Sequence, residues 1–379
     1  MIGYVKIFMI TGIIGTKHKW VIGNMMEVTF HDREQETKEV MDTLRVKPRL
    51  ITFIYGPINS GKTELITHLI EELPDDYVVF YINLRTKFLA SYDDFIESLF
   101  EMETDRTVRK GKETLAELVS GVTKVAGIPI NKEFIDYVFK DNKPKNAFSY
   151  MIKLFEEVKK SGKQPVLILD ELQKIGDVNV NASLIYELFN FFIDLTKELH
   201  LCHVFVVTSD SLFIERVYSE AMLEGRCRYL LVDDFDCETT MDFLDKYNFS
   251  DAEKEAAWDF CGGKPGCLVE LINSGDREKK ACEMFNVTSG RIETELKVVN
   301  ELGAKITIGD NICDVHYPNL IDILRKFVDR NEININEVDE ISKRYLVKEN
   351  ILFVDPLYKT IKPQSRLNML AIREVMQDA

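Results

Sequence analysis

The sequence predicts an α/β protein with a parallel β-sheet and helices on both of its faces. The chain passes from a strand at residues 49–55, through a loop and a helix, to a second strand at residues 77–85. Strand–helix–strand units of this kind give parallel sheets. Three further apolar runs at residues 166–169, 202–208 and 228–235 extend the series. Polar residues follow the first two of these runs, which predicts a ligand site at the carboxyl edge of the sheet.

Length, charge and cysteine content set limits on the protein class. The 379 residues suit two or three domains, and the net charge of −15 argues against a surface that is coated throughout by nucleic acid. Seven cysteines form no CxxC pair and no metal-type spacing with the six histidines, which predicts reduced, mostly buried thiols. After the N-terminus, no stretch has 18 uninterrupted apolar residues. We therefore expect a cytoplasmic protein that does not contact a membrane.

The N-terminus is apolar and is predicted to be an extension. Its apolar run at residues 7–14 is short and is interrupted by Thr11 and Gly12, and only Lys6 precedes it. A secretory signal would have a stronger charged region before the run and a small-residue cleavage site after it. We assign residues 1–26 to an extension that precedes the first domain.

A phosphate-binding pattern lies between the first strand and the following helix. The loop reads GPINSGKT and fits G-x-x-x-x-G-K-[ST], the pattern of a P-loop NTPase. Its glycines let backbone N–H groups face phosphates, Lys62 offers charge to the β and γ phosphates, and Thr63 offers a hydroxyl to Mg²⁺. A plain glycine turn would require neither side chain. The pattern predicts a nucleotide with β and γ phosphates and Mg²⁺ as cofactors, and the family resemblance given below implies that the nucleotide is ATP. The predicted contacts are Gly56, Pro57, Ile58, Asn59, Ser60, Gly61, Lys62, Thr63 and Glu64.

Two acids end the strand at residues 166–169. Asp170 is predicted to hold Mg²⁺ through water, together with Thr63. Glu171 is predicted to orient and polarise the water that attacks the γ-phosphate. Such an ending also suits a solvated turn, but here it follows the phosphate loop within one series of strands and helices. Asp170, Glu171 and Lys62 are the principal catalytic candidates.

Two further candidates lie beside the later strands. Thr208, followed by Ser209, ends the strand at residues 202–208, where a polar side chain can sit between the γ-phosphate and the attacking water. Hydroxyl groups at such a place also cap a following helix. Arg226 and Arg228 precede the last strand and could bring positive charge to the transition state, or could pair with a carboxylate. Thr208 and Arg226 join the catalytic candidates.

The patterns divide the chain into further parts. Residues 91–160 are mostly helical by pattern and lack strand signals, so they are predicted to be a helical insertion. The tail reads as two helices, a hairpin-like segment and a last helix, which describes a winged helix. The predicted divisions are the extension 1–26, the ATPase core 27–235 with its insertion at about 91–160, a helical subdomain 236–316 and a winged-helix domain 317–379.

The motifs together resemble the archaeal ATPase family, within the STAND branch of AAA+-related P-loop NTPases. The stretches that carry the resemblance are FHDREQE, FIYGPINSGKT, LILDELQKI, TSDS, GRCRYLLVDDF and GGKPGCL. The resemblance covers roughly residues 28–370. It implies a RecA-like ATPase core, a helical subdomain and a C-terminal winged helix.

The same resemblance implies roles for residues outside the loop. It implies that Phe30, Asp32 and Arg33 lie near the base and sugar of the nucleotide. It also implies that Pro265, which follows Gly263 by two positions, packs near the adenine. In this family the element formed by Gly263 and Pro265 takes the place of the arginine known as sensor 2 in many AAA+ proteins. No residue of this chain is therefore assigned as that sensor arginine.

Two functions remain open at this stage. The first is a slow ATPase switch, in which the bound nucleotide controls how the winged helix meets an unidentified protein partner. The alternative is an ATP-gated, DNA-binding protein of an initiator-like or mobile-element-associated kind. The tail from residue 317 holds ten basic and ten acidic residues, so it lacks the basic excess of a DNA reader although the remaining chain is acidic. A nucleotide-dependent oligomer is compatible with either function.

Overall fold

A computed structural model gives the fold for residues 28–102, 115, 123–130, 132–139, 143–176, 183–220, 223–309 and 311–378. The predicted extension at residues 1–26 lies outside these residues.

The strands fall into one large sheet and three small ones. In chain order they are β1 Ile51–Tyr55, β2 Tyr77–Asn83, β3 Phe100–Met102, β4 Lys124–Ala126, β5 Ile128–Ile130, β6 Gln164–Asp170, β7 His203–Thr208, β8 Cys227–Leu231, β9 Ala304–Ile308, β10 Asn311–Val315, β11 Ile333–Asn334, β12 Leu352–Asp355 and β13 Thr360–Pro363.

Helices connect the strands. In chain order they are α1 Glu34–Leu44, α2 Lys62–Glu72, α3 Tyr92–Ser98, α4 Lys132–Phe139, α5 Lys143–Lys160, α6 Ser183–Ile193, α7 Ser211–Glu220, α8 Cys237–Asp245, α9 Asp251–Cys261, α10 Pro265–Ile272, α11 Arg277–Leu302, α12 Tyr317–Arg325, α13 Glu340–Lys348 and α14 Arg366–Asp378. Among the described residues, none of the helices is both long enough and apolar enough to cross a membrane.

The main sheet has the strand order β4-β2-β6-β7-β1-β8, and all its pairs are parallel. Its central strands are buried on both faces, because alternate side chains enter two different apolar clusters. Phe53 lies in one cluster with residues of α3, α5 and α6. Ile54, the next residue, lies in another cluster with residues of α1 and α2. The predicted α/β fold with helices on both faces is confirmed.

The predicted helical insertion contains strands as well as helices, so that part of the prediction is wrong. β4 pairs with β2 and forms one edge of the main sheet, while β3 and β5 pair with each other in parallel. Each of the three strands has only three residues. A run this short cannot show the alternation or the apolar length by which strands are recognised in a sequence.

The helical subdomain has an interior of its own. Residues of α8, α9 and α10 surround Leu268 and Phe243, and Ala281 at the start of α11 joins them. Two of these helices begin with a conventional side-chain cap: Asp236 accepts from Thr239 N, and Ser250 forms a capping box with Glu253. This interior keeps the subdomain distinct from the sheet.

The C-terminal part combines α12 and α13 with a three-stranded antiparallel sheet of order β11-β13-β12, which is a winged-helix arrangement. Its apolar interior also contains Ile292 and Leu296 of α11, and Ile306 and Val315 of the β9–β10 hairpin. The interior therefore begins earlier in the chain than the predicted boundary between residues 316 and 317. In the following text "winged-helix domain" keeps the predicted meaning, from residue 317 onward.

Candidate functional site

The phosphate loop, residues 56–63, leaves the carboxyl end of β1 and enters α2. Gly61 has φ 91°, a left-handed conformation that glycine adopts without strain. Gly56 approaches the backbone that follows β8 so closely that a Cβ atom there would lie 2.1 Å from Val232 O. In the described residues, no side chain caps the first turn of α2. An uncapped helix N-terminus preceded by a glycine loop is the arrangement in which proteins bind phosphate.

Lys62 is folded back onto its own loop. Its Nζ donates to Gly56 O at 3.0 Å and to Pro57 O at 2.7 Å, and the side chain is only 7% exposed. Burial, with a smaller contribution from the nearby positive charge of Lys264, lowers the pKa of Lys62 to about 8. The amine therefore lies among loop carbonyls in a position where an anion would stabilise its charge.

The two predicted metal ligands, Thr63 and Asp170, are in direct contact. Thr63 Oγ1 donates to Asp170 Oδ2 at 2.9 Å, and Asp170 is 1% exposed at the end of β6. Burial raises the pKa of Asp170, although the hydrogen bonds from Tyr81 and Thr63 act in the opposite direction. Among the residues that the structure describes, none forms an ion pair with Asp170, and a buried carboxylate in this state favours the approach of a cation.

These two residues fit a magnesium ion that is shared with a nucleotide. Mg²⁺ prefers oxygen ligands and is commonly held by one or two protein oxygens, together with waters and substrate phosphates. A hydroxyl and a carboxylate side by side next to a phosphate loop supply such a set. Within the described ranges there is no cluster of three or more metal-ligating His, Cys, Asp or Glu residues, so a metal held by protein groups alone has no candidate there.

Tyr81 and Asn83 are site residues that the sequence analysis missed. Tyr81 OH donates to Asp170 Oδ2 at 2.9 Å, and Asn83 Nδ2 lies 3.4 Å from the same oxygen. Asn83 Nδ2 also donates to Tyr81 OH at 3.1 Å. Both residues belong to the carboxyl half of β2, which is the neighbour of β6 in the sheet. The rule that polar residues at strand ends mark the ligand edge would have identified Asn83.

Glu171 is held by two neighbours. Its Oε1 accepts from Arg85 Nη2 at 2.6 Å, and its Oε2 accepts from Gln173 Nε2 at 2.6 Å. Its backbone is left-handed, with φ 60°, an uncommon conformation for a residue other than glycine. The carboxylate lies beside Asp170 at the predicted edge, and both its oxygens are already hydrogen-bonded.

Thr208 reaches the same edge of the sheet, but its hydroxyl is used locally. Asp210 N donates to Thr208 Oγ1 at 3.1 Å, and the side chain is 1% exposed. This is the capping alternative of the sequence analysis, since the bond shapes the turn between β7 and α7. Ser209 Oγ accepts from Gln173 Nε2 at 3.2 Å and so lies nearer to the Glu171 carboxylate group.

Arg226 lies at the opposite edge of the sheet. It precedes β8, whose first residue Cys227 is in register with Ile51 at the start of β1, whereas the phosphate loop follows Tyr55 at the end of β1. Five residues of strand, about 16 Å, separate the two edges. Arg226 is therefore too far from the loop to reach a nucleotide bound in its own chain, and the catalytic role predicted for it would require an interface between two chains. Arg228 donates from Nη1 to Thr43 Oγ1 on α1 at 2.9 Å and takes no part in the site.

Arg33 supports the loop from outside. Its Nη2 donates to Ser60 O at 2.9 Å and to Asp233 O at 2.6 Å, and its guanidinium lies 4.7 Å from the ring centre of Phe235. Arg33 also pairs with Glu36 at 2.7 Å and is 6% exposed. The side chain thus joins the phosphate loop to the segment after β8, and it is saturated with protein contacts.

Next to Arg33, a pocket of about 550 Å³ opens between the start of α1, α2 and α8. Phe30 stacks on His68 there, with ring centres 4.0 Å apart. The pocket is lined by Phe30, His31, Asp32, Glu34, Thr37, His68, Glu72, Thr239, Asp242 and Lys246. Two of the residues that the resemblance associated with the base and sugar, Phe30 and Asp32, therefore line one cavity.

The GGKP segment folds directly onto the phosphate loop. Pro265 begins α10, and its Cγ lies 3.9 Å from the point where a Cβ on Gly61 would stand. Gly266 N donates to Asn59 O at 3.2 Å. At Gly263 a Cβ atom would lie 1.7 Å from Phe235 O, so only glycine allows this approach. The remaining predicted loop residue, Glu64, is exposed on the first turn of α2.

Comparison with known proteins agrees with this geometry. Residues 30–271 match the family described as an ATPase domain predominantly from Archaea. The chain belongs to this family. Residues 278–376 match the C-terminal domain of uncharacterized MJ1010-like ATP-binding proteins. The predicted resemblance is confirmed. The second match begins at the start of α11, the helix whose Ile292 and Leu296 enter the C-terminal apolar interior.

Similar proteins cover almost the whole chain. An uncharacterized ATP-binding protein of Pyrococcus abyssi is 46% identical over 349 residues, which are 92% of this chain and 98% of that protein. An uncharacterized ATP-binding protein of Methanocaldococcus jannaschii is 44% identical over 363 residues, with 92% and 98% covered. The solved structure of a Walker-type ATPase of Pyrococcus abyssi has a TM-score of 0.60 at 17% identity and covers 91% of this chain and 96% of its own. That likeness shows a shared fold.

Proposed function

We propose that this member of the archaeal ATPase family binds ATP with Mg²⁺, hydrolyses it slowly, and uses the nucleotide state to control its winged-helix domain. The observation that carries the proposal is the meeting of Thr63 Oγ1 and Asp170 Oδ2 at 2.9 Å, beside the buried amine of Lys62. The names of the similar proteins, which are ATP-binding proteins of archaea, support the choice of nucleotide.

The residues of the loop have distinct parts in binding. Lys62 would exchange the carbonyls of Gly56 and Pro57 for phosphate oxygens, which restores a full negative partner to a desolvated cation. Thr63 and Asp170 would hold Mg²⁺, which would supply positive charge next to the phosphates. Backbone N–H groups at the start of α2 would receive the remaining phosphate oxygens.

Glu171 is proposed to be the group that accepts a proton from the attacking water. In the observed arrangement both carboxylate oxygens are bonded, to Arg85 and to Gln173. Each oxygen keeps a second acceptor site that a water could use, but one of the two oxygens is held in an ion pair with Arg85. A slow turnover is proposed because this ion pair competes with the water for the carboxylate.

The base of the nucleotide has a candidate pocket. The cavity lined by Phe30 and Asp32 is about 550 Å³ in volume, which falls in the range of small-molecule sites. Its aromatic rings could stack with adenine, and Thr239 and Asp242 bring residues of α8 to the same cavity. A nucleotide in this place would touch both the core and the helical subdomain.

The proposed control of the winged-helix domain rests on its contacts with the core. Tyr55 OH donates to Asp355 Oδ1 at 3.0 Å, and both side chains are buried. Lys362 Nζ pairs with Asp233 Oδ2 at 2.5 Å, and Phe353 of β12 lies in the same apolar cluster as Phe53. Tyr55 is the last residue before the phosphate loop, so a shift of the loop acts on this contact directly.

DNA binding has less support than the switch. The helix that precedes the wing, α13, carries Lys343 and Arg344. Lys343 lies 3.5 Å from Glu215 of α7, and Arg344 lies 2.5 Å from Glu340. These cations are paired within the chain, and Lys343 is buried. Lys348, at the end of α13, is exposed, but a single exposed lysine does not form a basic face for phosphates.

Two substitutions test the proposed function. Lys62→Ala should abolish ATP binding or hydrolysis, measured by titration calorimetry and phosphate release. Glu171→Gln should keep binding and lower the hydrolysis rate by about 100-fold or more, in line with the loss of a general base. Lys254→Ala is a suitable control, because Lys254 pairs only with surface acids of the helical subdomain, Asp245 and Asp251. Hydrolysis at the unsubstituted rate in both site variants would refute the proposal.

A further inference from the structure

Lys264, inside the GGKP segment, is a buried lysine that connects three parts of the molecule. Its Nζ donates to Ile58 O of the phosphate loop at 3.1 Å and to Gln364 O at 2.9 Å. The same atom pairs with Asp234 Oδ1 at 2.9 Å. The side chain is 3% exposed. The sequence patterns predicted no role for Lys264.

The three partners come from segments that are distant in the chain. Ile58 belongs to the loop that follows β1. Asp234 lies in the linker, residues 232–235, which runs from the end of β8 to α8. Gln364 directly follows β13 and precedes α14 in the winged-helix domain. Lys264 itself belongs to the helical subdomain, so one ammonium group joins the core, the linker and the winged-helix domain.

The ammonium group is occupied by groups of the protein. It donates two hydrogen bonds to the carbonyls of Ile58 and Gln364, and the Asp234 carboxylate lies 2.9 Å away as its charge partner. In this arrangement the amine of Lys264 contacts protein groups, so these contacts do not support direct binding of a phosphate by Lys264. The ion pair with Asp234 compensates for the burial of its charge.

Two contacts next to Lys264 also connect the phosphate loop, the linker and the winged-helix domain. Gly266 N donates to Asn59 O at 3.2 Å, so α10 is bonded to the loop next to Ile58 as well. Asp233, the neighbour of Asp234, pairs with Lys362 of β13 at 2.5 Å. Movement of the loop carbonyls would therefore be passed to the linker and to β13 over a short distance.

We propose that Lys264 is the positioning residue through which the phosphate loop and the winged-helix domain hold each other in place. When phosphates enter the loop and its carbonyls shift, the bond to Ile58 O changes, and with it the bonds to Gln364 O and Asp234. This inference rests on the proposed nucleotide switch and names the side chain that carries it.

The test uses the full chain and measures amide hydrogen exchange with and without Mg·ATP. In the unsubstituted protein, Mg·ATP should change the exchange rate of residues 352–366 at least about fivefold, a usual size for coupling between two sites. In Lys264→Met, ATP should still bind, measured by calorimetry, but this change should be lost. Exchange of the loop and of residues 360–366 should also rise together in nucleotide-free Lys264→Met, since both ends of the connection are released.

A second variant separates the proposal from simple misfolding. Lys264→Met leaves the Asp234 carboxylate buried without a partner, which is strongly destabilising in general. The double variant Lys264→Met with Asp234→Asn removes both charges and should fold, while still lacking the nucleotide response at residues 352–366. Lys254→Met is the matched control for a lysine of the same subdomain, and it should keep the full response.

Each result has a definite meaning. A variant that shows the unsubstituted response refutes the role of Lys264 and leaves the proposed ATPase intact. An unsubstituted protein that binds ATP but shows no response at residues 352–366 also refutes it, as does loss of ATP binding in both Lys264 variants. If the unsubstituted protein binds no ATP, the proposed function itself fails.

Discussion

The phosphate loop and the contact surface of the winged-helix domain meet at Tyr55 and Gly56, yet they are built from different kinds of interaction. In the loop, Lys62 bonds to carbonyls five and six positions away. At the surface, Tyr55 bonds to Asp355, 300 positions away, and Lys264 to Gln364, 100 positions away. The first region is formed by a short piece of chain, and the second exists only when separate domains have assembled.

This difference indicates how the two regions respond to change. A loop of eight residues on the end of a buried strand keeps its shape as long as its glycines and the strand are intact. The contact surface combines a few polar bonds among Tyr55, Asp355, Asp233 and Lys362 with the packing of Phe353 in the apolar cluster of the core. We therefore expect substitutions in the loop to affect chemistry strongly, and substitutions at the surface to affect domain association with little effect on chemistry.

The largest effect is expected for Asp170→Asn. The amide keeps the shape of the side chain but removes the charge that is proposed to hold Mg²⁺, so stimulation of hydrolysis by Mg²⁺ should fall roughly 100-fold, or about 3 kcal/mol in the barrier. Phosphate release measured across a range of Mg²⁺ concentrations checks this. Asp251→Asn is the control, since Asp251 is exposed and pairs only with Lys254. An undiminished response to Mg²⁺ in Asp170→Asn would exclude this carboxylate as a ligand.

Gly56→Ala should destabilise the folded protein by about 2–3 kcal/mol, a typical cost of overpacking. The new Cβ would lie 2.1 Å from Val232 O, and backbone cannot move aside as a flexible side chain can. Urea denaturation gives the difference in the free energy of unfolding. Gly290→Ala is the matched control, because nothing lies within 4 Å of its Cβ position on α11, and there alanine should be neutral or stabilise by up to about 1 kcal/mol. Equal effects of the two substitutions would contradict the close approach.

ATP affinity should depend on pH through Lys62. The pKa of Lys62 is lowered from its usual 10.5 to about 8, so the amine loses its charge as pH rises through about 8 in the nucleotide-free protein. ATP binds the charged form better, and its affinity should therefore fall above pH 8 by up to about tenfold per pH unit. Titration calorimetry between pH 7 and pH 9 measures this. In Lys62→Arg the guanidinium stays charged, so the decline should disappear.

The lowered pKa of Lys62 also makes the stability of the folded protein depend on pH, in the direction opposite to that of ATP affinity. Because the folded protein holds the lysine proton less tightly than the unfolded chain does, the unfolded chain binds more protons between about pH 8 and 10.5. The contribution of Lys62 to the free energy of unfolding should thus rise with pH in this interval, while ATP affinity falls. Lys62→Met, which does not titrate, should lack this contribution in denaturation experiments at pH 8 and pH 10.

The smallest effect is expected at the contact surface. Tyr55→Phe removes the hydroxyl that donates to Asp355 Oδ1, but the same oxygen keeps the N–H groups of Leu357 and Tyr358. The free energy of unfolding should fall by about 1–2 kcal/mol, and the rate of ATP hydrolysis should not change. Tyr358→Phe, at an exposed tyrosine of the same turn, is the control and should change neither the free energy of unfolding nor the rate of hydrolysis. A large loss of hydrolysis in Tyr55→Phe would mean that the two regions are not separable.

Much of the fold could be predicted because its signals are local. The strands of the main sheet with five or more residues are long, apolar runs, and each lies close to its predicted place, although the last ends at Leu231 rather than at residue 235. β3, β4 and β5 were missed, because three residues carry too little pattern. Arg226 does not lie beside the loop of its own chain for a geometric reason: it precedes a strand, and in a parallel sheet that places it at the edge away from the loop.

The sequence by itself determined the phosphate loop, the pairing of Thr63 with Asp170 and the order of the domains. In each case the information is a spacing along a short segment, or the carboxyl end of a strand, which topology then brings to one edge. Only the tertiary structure decided that Arg85 and Gln173 hold Glu171, that Tyr81 and Asn83 bond to Asp170, and that Lys264 joins the loop to Gln364. Those contacts depend on the packing of segments separated by tens to hundreds of residues, and no local pattern records which of many polar side chains will meet.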